Sequence, residues 1–162
     1  MNSRKNGFNM IELMAVLAVI AILSALAIPN FQGKIVRDQI AQALPLADMA
    51  KAPIAMSWAL GQTFPLDNVA SGLPAADKIV SNLVSAVTVH EGAIDITFGN
   101  SVNAHLKGKV LTLRPAVVEE APTVPITWVC GSALAPNNMT IKGGSNNTSV
   151  PAEFLPLKCM AR

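Results

Sequence analysis

Hydrophobic and polar positions divide the chain into three stretches of different period. From Leu13 to Ile28 every side chain is apolar or small, with Ser24 the only hydroxyl. A helix needs about 20 such residues to cross a bilayer. This run, weakly continued to Phe31, therefore predicts a membrane-spanning helix. From Lys34 to Leu60 charges appear at Lys34, Arg37, Asp38, Asp48 and Lys51, while Val36, Ile40, Leu44, Ala47, Ile54 and Trp58 recur at helical spacings. That pattern predicts an amphipathic helix continuing the first, its apolar side against a sheet. Pro45 and Pro53 should each bend or break it, and it should end near Gly61.

Past Ser85 the period becomes two. Val87 and Val89, then Ile94, Ile96 and Phe98, alternate with polar residues around Glu91-Gly92, which predicts a hairpin. After a turn at Asn100 to Asn103, Lys109 to Arg114 reads as a third strand, with Gly108 a candidate bulge, and Pro125 to Cys130 as a fourth. The connecting region, Gly61 to Ser85, carries one helix signal: Pro74 ahead of Ile79, Val80, Leu83 and Val84. The predicted class is α+β, a long N-terminal helix packed on a four-stranded antiparallel sheet.

Charge gives the apolar run a direction. Arg4 and Lys5 precede it and no basic residue follows until Lys34, so the N-terminus is expected on the cytoplasmic side with the rest exported. Leu26-Ala27-Ile28-Pro29-Asn30 lacks the small-residue pattern of a signal-peptide cleavage site, so the run is read as retained. Glu12 stands at its head, and a carboxylate inside a membrane costs about 2.5–3.5 kcal/mol. Two explanations fit. The residue lies at headgroup depth in a first helical turn, where the helix dipole favours it, or it pairs with an ammonium. A cut between Gly7 and Phe8 would create an α-amino group four residues before Glu12, on the same helix face, able to pair within the chain or across to a neighbour. Farther along, Pro29 removes a helical hydrogen bond and Gly33 is a poor helix former, so a kink is expected there, although membrane helices tolerate such residues.

Composition narrows the function. The chain has 162 residues, a net charge of +2, 4% aromatic residues and no tyrosine. Neither a bulk electrostatic attraction to nucleic acid nor a stacking platform for single strands is indicated. The two cysteines, Cys130 and Cys159, predict a disulfide in an exported domain, closing Gly131 to Lys158, a segment rich in Gly, Asn, Ser and Pro. Two thiols with His90 and His105 far off in sequence do not make a metal site. Trp128 reads as a core residue beside the disulfide. Phosphate loops, zinc-protease helices and nucleophile elbows are missing, which argues against an enzyme or a cofactor. Asn138-Met139-Thr140 and Asn147-Thr148-Ser149 match the glycosylation sequon, as an Asn-rich loop does by chance.

Gly7-Phe8-Asn9-Met10-Ile11-Glu12-Leu13-Met14 resembles the prepilin processing site of type IV pilins, with Asn9-Met10 where Thr-Leu is usual. The resemblance extends to the globular part of type IVa pilins through Ile94 to Pro115, Ile126 to Gly131 and Val150 to Cys159. It implies a leader, Met1 to Gly7, removed by a membrane peptidase that also N-methylates Phe8. It implies that Glu12 sets the register of subunits, paired with the Phe8 amine of a neighbour, and that Pro29 and Gly33 mark where the helix melts in the filament. Mature side chains would then carry no net charge.

The implied organisation is residues 1–7 leader, 8–33 membrane or filament-core helix, 34–60 amphipathic helix, 61–85 connection, 86–129 sheet and 130–162 disulfide-bounded region. The implied role is structural. Copies of the chain would leave the inner membrane through dedicated machinery and polymerise into a retractable surface filament for adhesion, twitching motility and DNA uptake. Two alternatives stand beside the major subunit: a minor pilin binding DNA through Lys107, Lys109 and Arg114 or through Lys142 and Lys158, and a secretion-system pseudopilin. Host surfaces are a further candidate partner.

Overall fold

The computed structural model describes residues 7–61 and 63–161, and the side chains of these except 27–31. Two helices come first: α1, Met10–Ala43, and α2, Asp48–Gly61, joined by a 3-10 turn over Leu44–Ala47. Five strands follow: β1 Val84–His90, β2 Ala93–Phe98, β3 Val110–Val117, β4 Thr127–Cys130 and β5 Thr140–Ile141. The chain divides into two compact units, Met1–Lys34 and Ile35–Arg162.

In the second unit the helices bury Val36, Ile40, Ala43, Ala47, Ala50, Ile54 and Trp58. The spacings are all four or three residues, the apolar stripe of a helix packed on one side. Ala47 stands in the expected stripe, while Ala43 takes the place of the larger Leu44 and Ala50 is added. Leu44 is only partly buried. The two prolines act differently. Pro45 lies in the first turn of the 3-10 segment and marks the interruption. Pro53 sits inside α2 without ending it. The carbonyl it leaves without a helical donor belongs to Met49, a residue on the exposed side of α2.

Strands β1 to β4 form an antiparallel meander in chain order. The first two meet through a two-residue turn, Glu91 and Gly92, both at positive φ of 47° and 82°, the geometry that matches strand twist in tight hairpins. Gly92 is required twice over, since a Cβ there would lie 2.5 Å from the Phe64 ring. Phe64 in turn stacks on Trp58 at 5.0 Å. In β1 the register shifts between Val84 and Ala86. The extra residue, Ser85, lets Val84, Val87 and Val89 all face the core despite an initial spacing of three. Ile94, Ile96, Phe98, Leu111 and Leu113 complete that face.

Three local expectations change. Gly108, at φ +73°, belongs to the turn before β3 and not to a bulge. The helix expected after Pro74 is only a 3-10 turn over Ala76–Lys78, because Asn82-Leu83-Val84 is drawn into the edge of the sheet. Strand β5 extends the expected four-stranded sheet. Ala116 pairs with Thr127 on one side and Ile141 on the other, so β5 continues the position that β2 leaves.

Candidate functional site

The first unit is built around an uncovered helix. Gly7, Phe8 and Asn9 precede α1 in non-helical backbone. The Asn9 carbonyl accepts from the Glu12 and Leu13 amides at 3.0 and 3.2 Å, which starts the helix. Glu12 is exposed in the first turn, where the positive end of the helix dipole favours a carboxylate. Large apolar side chains from Met10 to Leu26 are all exposed, between 46% at Val16 and 78% at Met10. With Ala15, Ala18, Ala21 and Ala25 between them, apolar side chains fill every position from Leu13 to Leu26 except Ser24, so the apolar surface runs around the helix. Such a surface requires lipid or protein to cover it. The single hydroxyl is satisfied internally, Ser24 donating to the Ile20 carbonyl at 2.8 Å.

Among the described residues no helix is long and apolar enough to cross a membrane. The run expected to do so, Leu13 to Ile28, ends on side chains outside the described residues, as does the Pro29 ring. Gly33 lies within the helical backbone of α1, and an added Cβ there would meet nothing within 4 Å. Close packing within the chain therefore does not demand glycine at that position.

In the second unit Cys130 and Cys159 are bonded, S–S 2.06 Å, and both are buried. The bond ties the end of β4 to the end of the chain. Gly131 follows at φ +56°, and a Cβ on it would lie 2.8 Å from the Cys159 carbonyl oxygen. Trp128 is half-buried and packs on the core, two residues before the disulfide. The basic residues read as a DNA surface are partly committed elsewhere. Arg114 donates through Nη2 to the Gly131 carbonyl at 2.9 Å, and Lys142 pairs with Glu119 at 3.2 Å.

A polar cluster on the outer face of the sheet was not foreseen. Asp95, 8% exposed, accepts from Thr112 Oγ1 at 2.6 Å and from Asn147 Nδ2 at 2.7 Å, with His90 Nε2 at 3.1 Å. The Asn147 amide donates to Thr112 Oγ1, and Thr148 Oγ1 and Ser149 Oγ accept from the Thr112 and Val110 amides. These bonds satisfy the β3 amides that β4 does not reach. They also hold the segment after Lys142 across the sheet. The one available signal was an acid alternating with isoleucines in β2, which has to be either solvated or paired. Replacing Asp95 with Ala should destabilise the fold by about 1–3 kcal/mol, since it leaves the buried Thr112 hydroxyl without its acceptor. Urea unfolding measures the loss, and amide exchange should rise across residues 143–149; unchanged exchange there would contradict the role assigned to Asp95.

Residues 36–160 match the pilin family of bacterial filaments, and residues 2–28 match the prokaryotic N-terminal methylation motif. The type IV major pilin protein PilE of Neisseria gonorrhoeae is 29% identical over 98% of this chain and 96% of its own length. A fimbrial protein of Neisseria meningitidis serogroup B is 28% identical over the same shares. The fimbrial protein EcpC of Eikenella corrodens is 31% identical over 79% of this chain and 83% of its own.

Proposed function

Because the chain belongs to the pilin family of bacterial filament proteins, we propose that it is a structural subunit of a type IV pilus, polymerising through its N-terminal helix. The observation that carries this reading is the apolar surface of α1 from Met10 to Leu26, exposed and headed by the Glu12 carboxylate. The role is structural, not catalytic.

Assembly proceeds by exchange of one apolar environment for another. Before it, the helix sits in the inner membrane; afterwards it packs against other copies in the filament core. Lipid tails are as apolar as leucine, so the transfer of the sleeve itself gains little beyond closer packing. Glu12 gains most. Its cost of about 2.5–3.5 kcal/mol in the membrane is offset once the methylated Phe8 amine of a neighbour lies against it. That pairing makes one axial register better than the others, as buried polar groups do in other helical assemblies. Pro29 and Gly33 supply the place where the helix loosens as subunits pack.

The mature filament is extracellular and serves attachment and motility. The bonded Cys130 and Cys159 favour a pilus subunit over a secretion pseudopilin, which typically lacks that bounded region. Substituting Gly7 with Val should block removal of the leader. Cells making that variant should retain a chain with Met1 to Gly7 attached, seen by intact mass, and show no filaments by electron microscopy. Normal filaments of processed protein would overturn the assignment of the cleavage site.

A further inference from the structure

An open cleft of about 330 Å3 lies where the helices of the globular unit meet β4, with Trp128, Asp48, Lys51 and Lys158 among its walls. It opens because the 3-10 turn around Pro45 and the small Ala41 side chain leave the indole partly uncovered. Lys51 is fixed there by two partners, the Asp48 carboxylate at 2.6 Å and the Trp128 ring, whose centroid lies 6.0 Å from Nζ. Lys158 makes no ion pair among the described residues. It also borders a second, mostly apolar hollow lined by Leu134 and Leu157.

We propose that this cleft binds a carboxylated sugar. Its volume falls at the lower end of small-ligand sites, and its walls combine one aromatic surface with a few convergent polar groups. Each group has a distinct use. The indole packs on the C–H face of a pyranose, Asp48 accepts hydroxyl hydrogens, and Lys158 pairs with the carboxylate. Two lysines against one aspartate leave one positive charge, which matches one acid group. A purely apolar ligand would strip water from three charged side chains without replacing it, and a bare inorganic anion would leave the indole unused. The inference goes beyond the filament reading, and binding itself requires no polymer.

Saturation-transfer NMR on the full-length chain in detergent micelles tests it, with glucuronate, glucose and acetate as probes. Glucuronate should receive saturation on its ring protons. Glucose and acetate should each bind about tenfold more weakly, the loss expected for one charge-assisted contact or one packed ring. Lys158→Ala should weaken glucuronate by a similar factor without changing glucose, and Lys158→Arg should restore it. Lys158 lies on the surface, and an unchanged urea unfolding transition confirms that the variants fold. Equal binding of glucose and glucuronate, acetate as tight as glucuronate, no effect of Lys158→Ala, or no saturation of any probe would overturn the proposal. Because the chain is unpolymerised in this experiment, none of these outcomes bears on filament assembly.

Discussion

A chain carrying Glu12→Ala should be exported, processed and correctly folded, yet should assemble few filaments or none. Glu12 lies in the first turn of α1 and belongs to the unit that ends at Lys34, so its removal touches no core contact of the sheet domain. The disulfide and unfolding transition of the globular unit should match the unsubstituted protein. What should disappear is the proposed pairing that favours one register, and breaking one member of a buried charge pair costs about 3–5 kcal/mol per subunit contact. Repeated along a polymer, even the lower figure suffices to shift the balance to membrane-held monomer. Electron microscopy and the ratio of sheared to membrane-bound protein measure the effect. Wild-type numbers of filaments from Glu12→Ala cells would show that register is set by packing of the apolar sleeve alone.

Paired substitution of Cys130 and Cys159 by Ser should act in the opposite place. It leaves α1 unchanged and loosens the far end of the chain. The two residues are 29 apart in sequence, and closing a loop of that length is worth about 3.5 kcal/mol on the chain-entropy account. That is a large share of the stability of a domain this size. The segment between them has little core of its own. Among its few buried residues are Val150 and Leu155, and its other anchors include hydrogen bonds to β3, to Asp95, to the Glu91 carbonyl and from Arg37. The doubly substituted protein should unfold at distinctly lower urea concentration and be cut by protease between Gly131 and Lys158 before anywhere else. An unfolding midpoint equal to that of the oxidised protein would mean that the polar contacts suffice.

The main architecture was legible because period and composition agree there. The apolar run, the stripe from Val36 to Trp58 and the alternation around Glu91-Gly92 each point to one kind of element, and α1, α2, β1 and β2 follow. Legibility fell where tertiary partners decide. Pro45 and Pro53 look alike in sequence, but one opens a 3-10 turn and the other is absorbed within α2. Ser85 had no mark of a bulge, because the shift is visible only once Val84 is seen to pair with Phe98. β5, two residues long, exists because β3 outruns β2 and its edge needs donors and acceptors. The hold on residues 143–149 depends on Asp95 meeting Asn147 from 52 positions away, a pairing no local pattern encodes. Among the candidate site residues, the cysteine pair could be read from export and count. Gly7, Phe8 and Glu12 stand together in a short local pattern within the stretch that matches the N-terminal methylation motif, and their separate roles belong to the proposal.

The account rests on α1 being carried into a surface filament with its leader removed, and the intact mass and N-terminal sequence of protein sheared from the cell surface test that most directly. The expected chain begins at Phe8, bears one methyl group on its terminal nitrogen, and lacks two hydrogens for the bond between Cys130 and Cys159. A surface chain beginning at Met1, or one cut after Ala27 so that the apolar helix is lost, would contradict it.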